Sequence, residues 1–300
     1  CRWPAPPRSM PELPEVETTA RGLRSRLVGR RVRDVTGVDW PRMLPQTSEG
    51  ELRAVLSGLG VREVDRRGKF LLIGFDEDCW LAIHRKMSGN LLLRPTQAPP
   101  EPHTHLDITF DDGSHLRLVD ARKFGRVYLF RSSHEREAFI ATRLGPEPLT
   151  QLDARSLGRM LRGRRGRIKP LLLDQAFLAG LGNLYADEAL WEARIHPARA
   201  ADSLTRVEVA RLALAIRQVL LLGIERRGTS FSSYRDAEDA PGENQDFLNA
   251  YGRASQPCPR CGTPISRTLI GMRSAHFCAH CQHPSPPIRR RVASGSAPLT

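Results

Sequence analysis

The sequence predicts an α+β chain of more than one domain, on three observations. Short β-rich runs separated by turn signals fill residues 31 to about 130. Helical periodicity takes over after about residue 150. Four cysteines then cluster near the C-terminus as two Cys-x2-Cys pairs.

In chain order, Glu12 to Gly29 reads as an amphipathic helix, with Leu13, Val16, Ala20, Leu23 and Leu27 at spacings of three and four. Pro14 suits its first turn and Gly29 its stop. Strands are expected over Val32–Val38, Lys69–Phe75, Trp80–Ile83, Asn90–Leu93, Leu106–Phe110, His115–Val119 and Arg126–Phe130, with Asp111-Asp112-Gly113 as a hairpin turn. So many short strands imply a sandwich or barrel. Pro95 to Pro102 reads as an exposed loop, and Leu144-Gly145-Pro146-Glu147-Pro148 as a linker. Helices follow over Leu152–Arg162, Ala186–Ala193 and Thr205–Arg226, the last opened by Thr205 and Glu208 in capping-box spacing. Gly228 to Glu243 reads as a polar, mobile loop, and the Pro-, Ser- and Arg-rich segment after His283 as disordered.

The 300 residues carry a net charge of +13, and 40% of them are apolar. A core is affordable, and so basic a surface points to a polyanion, nucleic acid above all; a charge-rich solvated surface is the plainer alternative. No apolar run reaches the roughly 20 residues that span a bilayer. Cys1 to Ser9 lacks the apolar core of a signal peptide. A cytoplasmic chain with reduced thiols is expected, with Cys1 and Cys79 standing alone.

Cys258-x2-Cys261 and Cys278-x2-Cys281 are separated by sixteen residues, a spacing that sets four thiolates around one zinc. All four positions are filled, so the zinc is structural. The intervening residues are long enough for a hairpin, with Gly262 and Gly271 to turn it and Arg267 and Arg273 to reach phosphates.

Met10-Pro11-Glu12-Leu13-Pro14-Glu15-Val16-Glu17-Thr18 closely resembles the N-terminal signature of formamidopyrimidine-DNA glycosylases. Further motifs of that family follow in order: Gly68-Lys69-Phe70-Leu71, Met87-Ser88-Gly89, Asp120-Ala121-Arg122-Lys123-Phe124-Gly125, Ile168-Lys169-Pro170, and Gly180-Leu181-Gly182-Asn183-Leu184-Tyr185-Ala186-Asp187-Glu188. The likeness runs from Pro11 to Gln282. It implies an N-terminal β-sandwich carrying the first helix, then a helix-two-turn-helix domain with a C-terminal zinc ribbon, and DNA in the cleft between. The expected division is a leader 1–9, a catalytic domain 10–135, a linker 136–150, a DNA-binding domain 151–250, a zinc finger 251–282 and a disordered tail 283–300.

The resemblance also implies excision of 8-oxoguanine and formamidopyrimidines from double-stranded DNA, then β,δ-elimination at the abasic site, in a bacterial-type, nucleoid-associated setting; the sequence shows no oligomerisation signal, so a monomer is expected. Pro11 is then the nucleophile, Glu12 the proton shuttle and Glu15 a supporting acid. Lys69, His103, Lys169, Asn183 and Arg273 contact DNA, with Lys69 and Arg273 also aiding catalysis. Met87 fills the hole left by the extruded base, Arg122 pairs with the widowed cytosine and Phe124 wedges a base step. The loop Gly228–Glu243 corresponds to the region that closes over the damaged purine, with no base-reading residue assigned. An amine in a peptide bond is not nucleophilic, so this mechanism expects translation from Met10, its removal, and a leader that is an upstream artefact. A leader retained as a functional tail would contradict the mechanism.

Each role has a plainer rival: helix-dipole partners for the acids, solvated side chains for Lys69 and His103, core packing for Met87 and Phe124. Arg85-Lys86 stand where the family usually has Leu-Gly, which makes the Met87 loop more basic and stiffer, and Lys123 replaces a common arginine. Arg155 to Lys169 and Arg289-Arg290-Arg291 add nonspecific attraction to phosphates. Two rival functions remain at this stage: an endonuclease VIII-like glycosylase for oxidised pyrimidines, and a non-catalytic zinc-ribbon DNA-binding protein. A pseudoenzyme locked by its leader is a third.

Overall fold

The computed structural model describes residues 10–231 and 234–284. The leader 1–9 and the tail from residue 285, with its three arginines, lie outside the described residues.

Helix α1 (Leu13–Leu27) packs its apolar stripe on a sandwich of two antiparallel four-stranded sheets. One sheet orders β1 (Val32–Thr36), β6 (Thr104–Phe110), β7 (His115–Val119) and β5 (Asn90–Arg94). The other orders β2 (Val61–Arg67), β3 (Phe70–Phe75), β4 (Trp80–His84) and β8 (Arg126–Phe130). Inward side chains of both sheets, among them Val35, Ile73, Ile83, Leu106 and Leu118, share one core with Val16, Ala20 and Leu23 of α1.

The expected strands are all present, with ends shifted by a residue or two. Three elements of this half were not expected. Helix α2 (Glu49–Leu56) is capped by Ser48, whose hydroxyl accepts from Glu51 N at 3.2 Å. Strand β2 is an edge strand whose charges outnumber its two buried valines. Helix α3 (Ser133–Ala141) takes up the first part of the segment read as a linker. Its Phe139 covers Phe70, Leu72, Trp80 and Phe130 on the outer face of the second sheet. β3 is therefore buried on both faces, which is why Phe-Leu-Leu-Ile-Gly-Phe shows no alternation.

The rest of the linker is clamped. Buried Glu147 accepts from Arg66 at 3.0 Å, from Arg67 at 2.8 Å and from Gly68 N at 2.5 Å. Helices α4 (Ala154–Leu161), α5 (Ile168–Leu173), α6 (Asn183–Glu192) and α7 (Arg206–Glu225) then enclose a second core, with Leu157, Ile168, Tyr185, Leu190, Leu212 and Ile216 inside. Short α5 was not expected; α6 starts three residues earlier than periodicity suggested. Strands β9 (Ile265–Ile270) and β10 (Arg273–Cys278) form the C-terminal hairpin.

Residues 228–243, read as a polar mobile loop, do not stand free. Among its described residues Thr229, Tyr234, Asp236 and Ala237 are buried, Ala237 belongs to the sandwich core, and its carbonyl accepts from Leu93 N at 3.1 Å. No helix among the described residues is long and apolar enough to cross a membrane.

Candidate functional site

Pro11 and Glu12 sit where α1 begins, and both are buried. The Glu12 carboxylate lies on the N-terminus of α6. It accepts from Gly182 N at 2.6 Å, Leu184 N at 2.9 Å and Tyr185 N at 3.3 Å. A helix N-terminus favours an anion there. Only glycine fits at 182, because a Cβ would stand 2.4 Å from Glu12 Cδ. Burial nevertheless dominates and pushes the Glu12 carboxyl up to about 7; the Lys69 charge and the helix N–H groups oppose it, and the Glu15 charge adds to it.

Glu15, one turn on, accepts from Glu12 N at 2.8 Å, Thr229 N at 2.8 Å and the Tyr185 hydroxyl at 2.9 Å. It fixes the start of α1 against α6 and the segment after α7. Burial raises its carboxyl too.

Lys69 sits on the tight turn between β2 and β3, held from below by Glu147 at Gly68. Its side chain is buried, and burial pulls the ammonium below its ordinary range while Glu12 and Glu15 push it back. Arg273, exposed at the start of β10, adds its charge to the same neighbourhood. Asn183, first residue of α6, donates to Ser274 Oγ at 3.2 Å, and its buried Oδ1 has no partner.

Lys169 is placed differently from the expectation of a lysine beside the extruded base or its phosphate. Its ammonium is fully covered, 2.5 Å from Asp187 Oδ1 and 2.5 Å from the Ser274 carbonyl. Asp187 Oδ2 in turn accepts from His276 N at 2.9 Å and faces His276 Nδ1 at 3.1 Å. This buried chain ties α5 and α6 to β10, and so holds the strand that carries Arg273. Periodicity gave no sign of Asp187 or His276; only the acid pair closing the Gly180–Glu188 motif hinted at the first.

A second group forms along one edge of the sandwich. Met87 occupies the turn between β4 and β5 and is half-buried. Arg122 and Phe124 are exposed on the turn after β7, with the Arg122 guanidinium 4.6 Å from the Phe124 ring centre. Asp120 organises both turns. It accepts from Phe124 N at 2.8 Å and Gly125 N at 2.7 Å, and from the Ser88 hydroxyl at 2.5 Å. Exposed His103 joins this edge through its carbonyl, which accepts from Asp120 N at 2.9 Å.

The sulfurs of Cys258, Cys261, Cys278 and Cys281 lie within 4.8 Å of one another, against the roughly 3.8 Å edge of a tetrahedral zinc–thiolate site. The donor set fits one structural zinc. It ties the 258–261 knuckle to the end of β10 over a small core, among the described residues, of Trp191, Ala250, Ile265, Cys258 and Cys278 with Cys281 at its edge.

Comparison with known proteins gives three family matches. The formamidopyrimidine-DNA glycosylase N-terminal domain matches residues 10–127, the H2TH domain of the same family residues 144–235, and the zinc finger found in FPG and IleRS residues 255–284. The chain is 44% identical over 274 residues to the formamidopyrimidine-DNA glycosylase of Roseiflexus sp., covering 91% of this chain and 100% of that one. It is 47% identical over 274 residues to that of Symbiobacterium thermophilum, covering 91% and 89%. Among solved structures it resembles a Lactococcus lactis FPG mutant in complex with Fapy-dG-containing DNA, with a TM-score of 0.85, 36% identity and coverage of 91% and 100%. The wild-type Lactococcus lactis protein bound to DNA containing an oxidised pyrimidine matches with a TM-score of 0.84, at 36% identity and coverage of 91% and 100%.

Proposed function

Because this chain belongs to the formamidopyrimidine-DNA glycosylase family, we propose that it excises 8-oxoguanine and formamidopyrimidines from double-stranded DNA and then cleaves the strand by β,δ-elimination. The observation that carries this reading is the Glu12 carboxyl, buried at a helix N-terminus beside Pro11 and held near neutrality. An acid poised at about 7 can give and take a proton at working pH.

The nucleophile is the nitrogen of Pro11, in a chain that begins there. A free α-amine titrates at about 7.7–8.0, so a useful neutral fraction exists. It attacks C1′ of the damaged nucleotide. The C1′–base bond breaks, and the purine leaves with its electron pair and takes up the proton that the Pro11 amine gives up on forming the new bond. Glu12 protonates the ring oxygen as the sugar opens, leaving a cationic iminium between Pro11 and C1′. That cation withdraws electrons, so loss of a C2′ proton expels the 3′ phosphate, and loss of a C4′ proton expels the 5′ phosphate. Water then adds to the iminium carbon, which releases the sugar remnant as an aldehyde and frees the Pro11 amine.

The other residues position DNA. Lys69, Asn183 and Arg273 grip phosphates around the lesion, and Lys169 acts through Asp187 and Ser274 rather than by touching DNA. Glu15 keeps Glu12 in place. Met87, Arg122 and Phe124 enter the duplex where the base has left, with His103 on the adjoining backbone. In this reading the chain divides into a catalytic sandwich over 10–135, extended by α3, a helical DNA-binding unit over 151–250 and a zinc finger over 251–282. Zinc holds the Arg273 hairpin and takes no part in the chemistry.

The test is a panel of duplexes each with one lesion: 8-oxoguanine or a formamidopyrimidine opposite cytosine, and an oxidised pyrimidine. Purine lesions are expected to be cut fastest, leaving a gap with phosphate on both ends. Faster cutting of the pyrimidine would favour the endonuclease VIII-like reading. Tight binding without base release would leave a DNA-binding protein.

A further inference from the structure

Arg85 is the largest fully buried side chain among the described residues, 1% exposed, and its hydrogen bonds go to neutral acceptors rather than to a carboxylate. An arginine taken from water without an ion pair must find such acceptors, or its desolvation goes uncompensated and the fold is destabilised. Arg85 finds four. Its Nε donates to the Gly89 carbonyl at 2.8 Å and its Nη1 to Thr19 Oγ1 at 2.7 Å. Its Nη2 donates to Asn90 Oδ1 at 2.8 Å and to the Arg235 carbonyl at 3.1 Å. The Tyr234 ring centre lies 5.1 Å from its guanidinium carbon.

These acceptors come from three separate parts of the chain. Gly89 closes the turn that carries Met87, and its own N–H donates back to the Arg85 carbonyl at 3.1 Å. That turn admits no side chain at 89, since a Cβ would be 2.6 Å from the Arg85 oxygen. Thr19 lies one turn beyond Glu15 on α1, and its hydroxyl donates to the Glu15 carbonyl at 2.9 Å. Arg235 and Tyr234 belong to the segment between α7 and the zinc finger, where Tyr234 also donates to the Glu15 carbonyl at 3.3 Å. Asn90 Oδ1 is shared, accepting from Arg235 N at 3.0 Å as well.

We propose that Arg85 is a positioning residue that locks the Met87 turn, helix α1 and the 234–240 segment into one unit, so that Met87 is set for insertion only when that segment is seated. If residues 234–235 withdraw, the guanidinium loses an acceptor and a ring while still buried. The strain then falls on the short Met87 turn, whose geometry depends on Arg85 at both backbone and side chain. This rests on the proposed function, because it supposes that base extrusion uses Met87. It assigns the basic residue Arg85, two positions before Met87, to the interior and not to DNA.

The variants are Arg85→Leu, which leaves an apolar side chain without the guanidinium, and Arg85→Lys, which keeps the charge but not the fork. Each is compared with wild type by hydrogen exchange and by two activities: release of 8-oxoguanine, and strand cleavage at a preformed abasic site. Exchange is expected to rise together in residues 86–90 and 234–240. Base release is expected to fall about tenfold or more for Leu, the loss of roughly one to two charge-assisted hydrogen bonds, and less for Lys. Cleavage at the abasic site, where no base remains to extrude, stays within about twofold. A parallel fall in both activities, or faster exchange in one segment only, would overturn the proposal, as would unchanged base release. A failure of the wild type to release any base would instead sink the proposed function. If Arg85→Leu does not fold, the Lys variant carries the same comparison.

Discussion

A Glu12→Gln chain is expected to lose base excision by about 10²–10⁴-fold, the range removed with a general acid–base group. Glutamine keeps the shape but cannot give or take the proton. It also turns an amide donor toward one of the N–H groups of Gly182, Leu184 or Tyr185 that now point at a carboxylate. That clash costs about 1–3 kcal/mol, so thermal unfolding is measured beside the single-turnover rate. The pH profile separates chemistry from packing. Burial raises the Glu12 carboxyl from its ordinary 4.5 to about 7, so the folded chain holds this proton where the unfolded chain has lost it. Its contribution to stability is therefore fully present below about 4.5 and is lost as pH rises through about 7. Catalysis needs Glu12 protonated and the Pro11 amine, near 7.7–8.0, neutral, which gives a narrow bell with its maximum between about 7 and 8. Glu12 sets the alkaline limb, and the Glu12→Gln variant should lack it. An unchanged rate in a folded variant, or an alkaline limb that survives, would leave Glu12 a purely structural acid.

Removing zinc is expected to weaken lesion binding at least about tenfold while leaving most of the protein folded. The hairpin β9–β10 has almost no core of its own, whereas the sandwich and the helical unit each have a large one. A module this small folds on its metal. Its loss frees Arg273 and breaks the Lys169–Asp187–His276 chain at its β10 end. Chelation, or Cys278→Ser, should lower affinity for lesion DNA at least about tenfold, as expected when a charge-assisted phosphate contact goes. The main unfolding transition should persist. Full binding by protein shown to be zinc-free by elemental analysis would contradict this role.

Much of the fold was legible because its signals are local. The 3.6-residue stripe of α1, the runs of β3 to β8, the Thr205–Glu208 box of α7 and the cysteine spacing each depend on neighbours in sequence. What escaped depends on partners far away. β2 hid because Arg66 and Arg67 are charged for the sake of Glu147, some eighty residues on. α2 and α3 were missed although Ser48 and Ser132 are ordinary caps, because flanking strands drew the reading.

At the site, the resemblance singled out Pro11, Glu12, Lys69, Asn183 and Arg273, and in the structure Glu12 does meet the charge of Lys69, which in turn meets that of Arg273. It could not tell that Lys169 faces inward, because burial by the β10 hairpin is a tertiary fact. Nor could it place Arg85, whose four acceptors come from three separate stretches of chain.

The central claim is that the nitrogen of Pro11 forms the covalent intermediate, and borohydride trapping tests it most directly. A chain beginning at Pro11 and one retaining Met10 are each incubated with a duplex carrying 8-oxoguanine opposite cytosine, reduced, digested and mapped by mass spectrometry. The account predicts a cross-link at the Pro11 nitrogen, formed only by the first chain. A cross-link at Lys69 or another lysine, or equal trapping by the chain whose proline is still acylated, would contradict it.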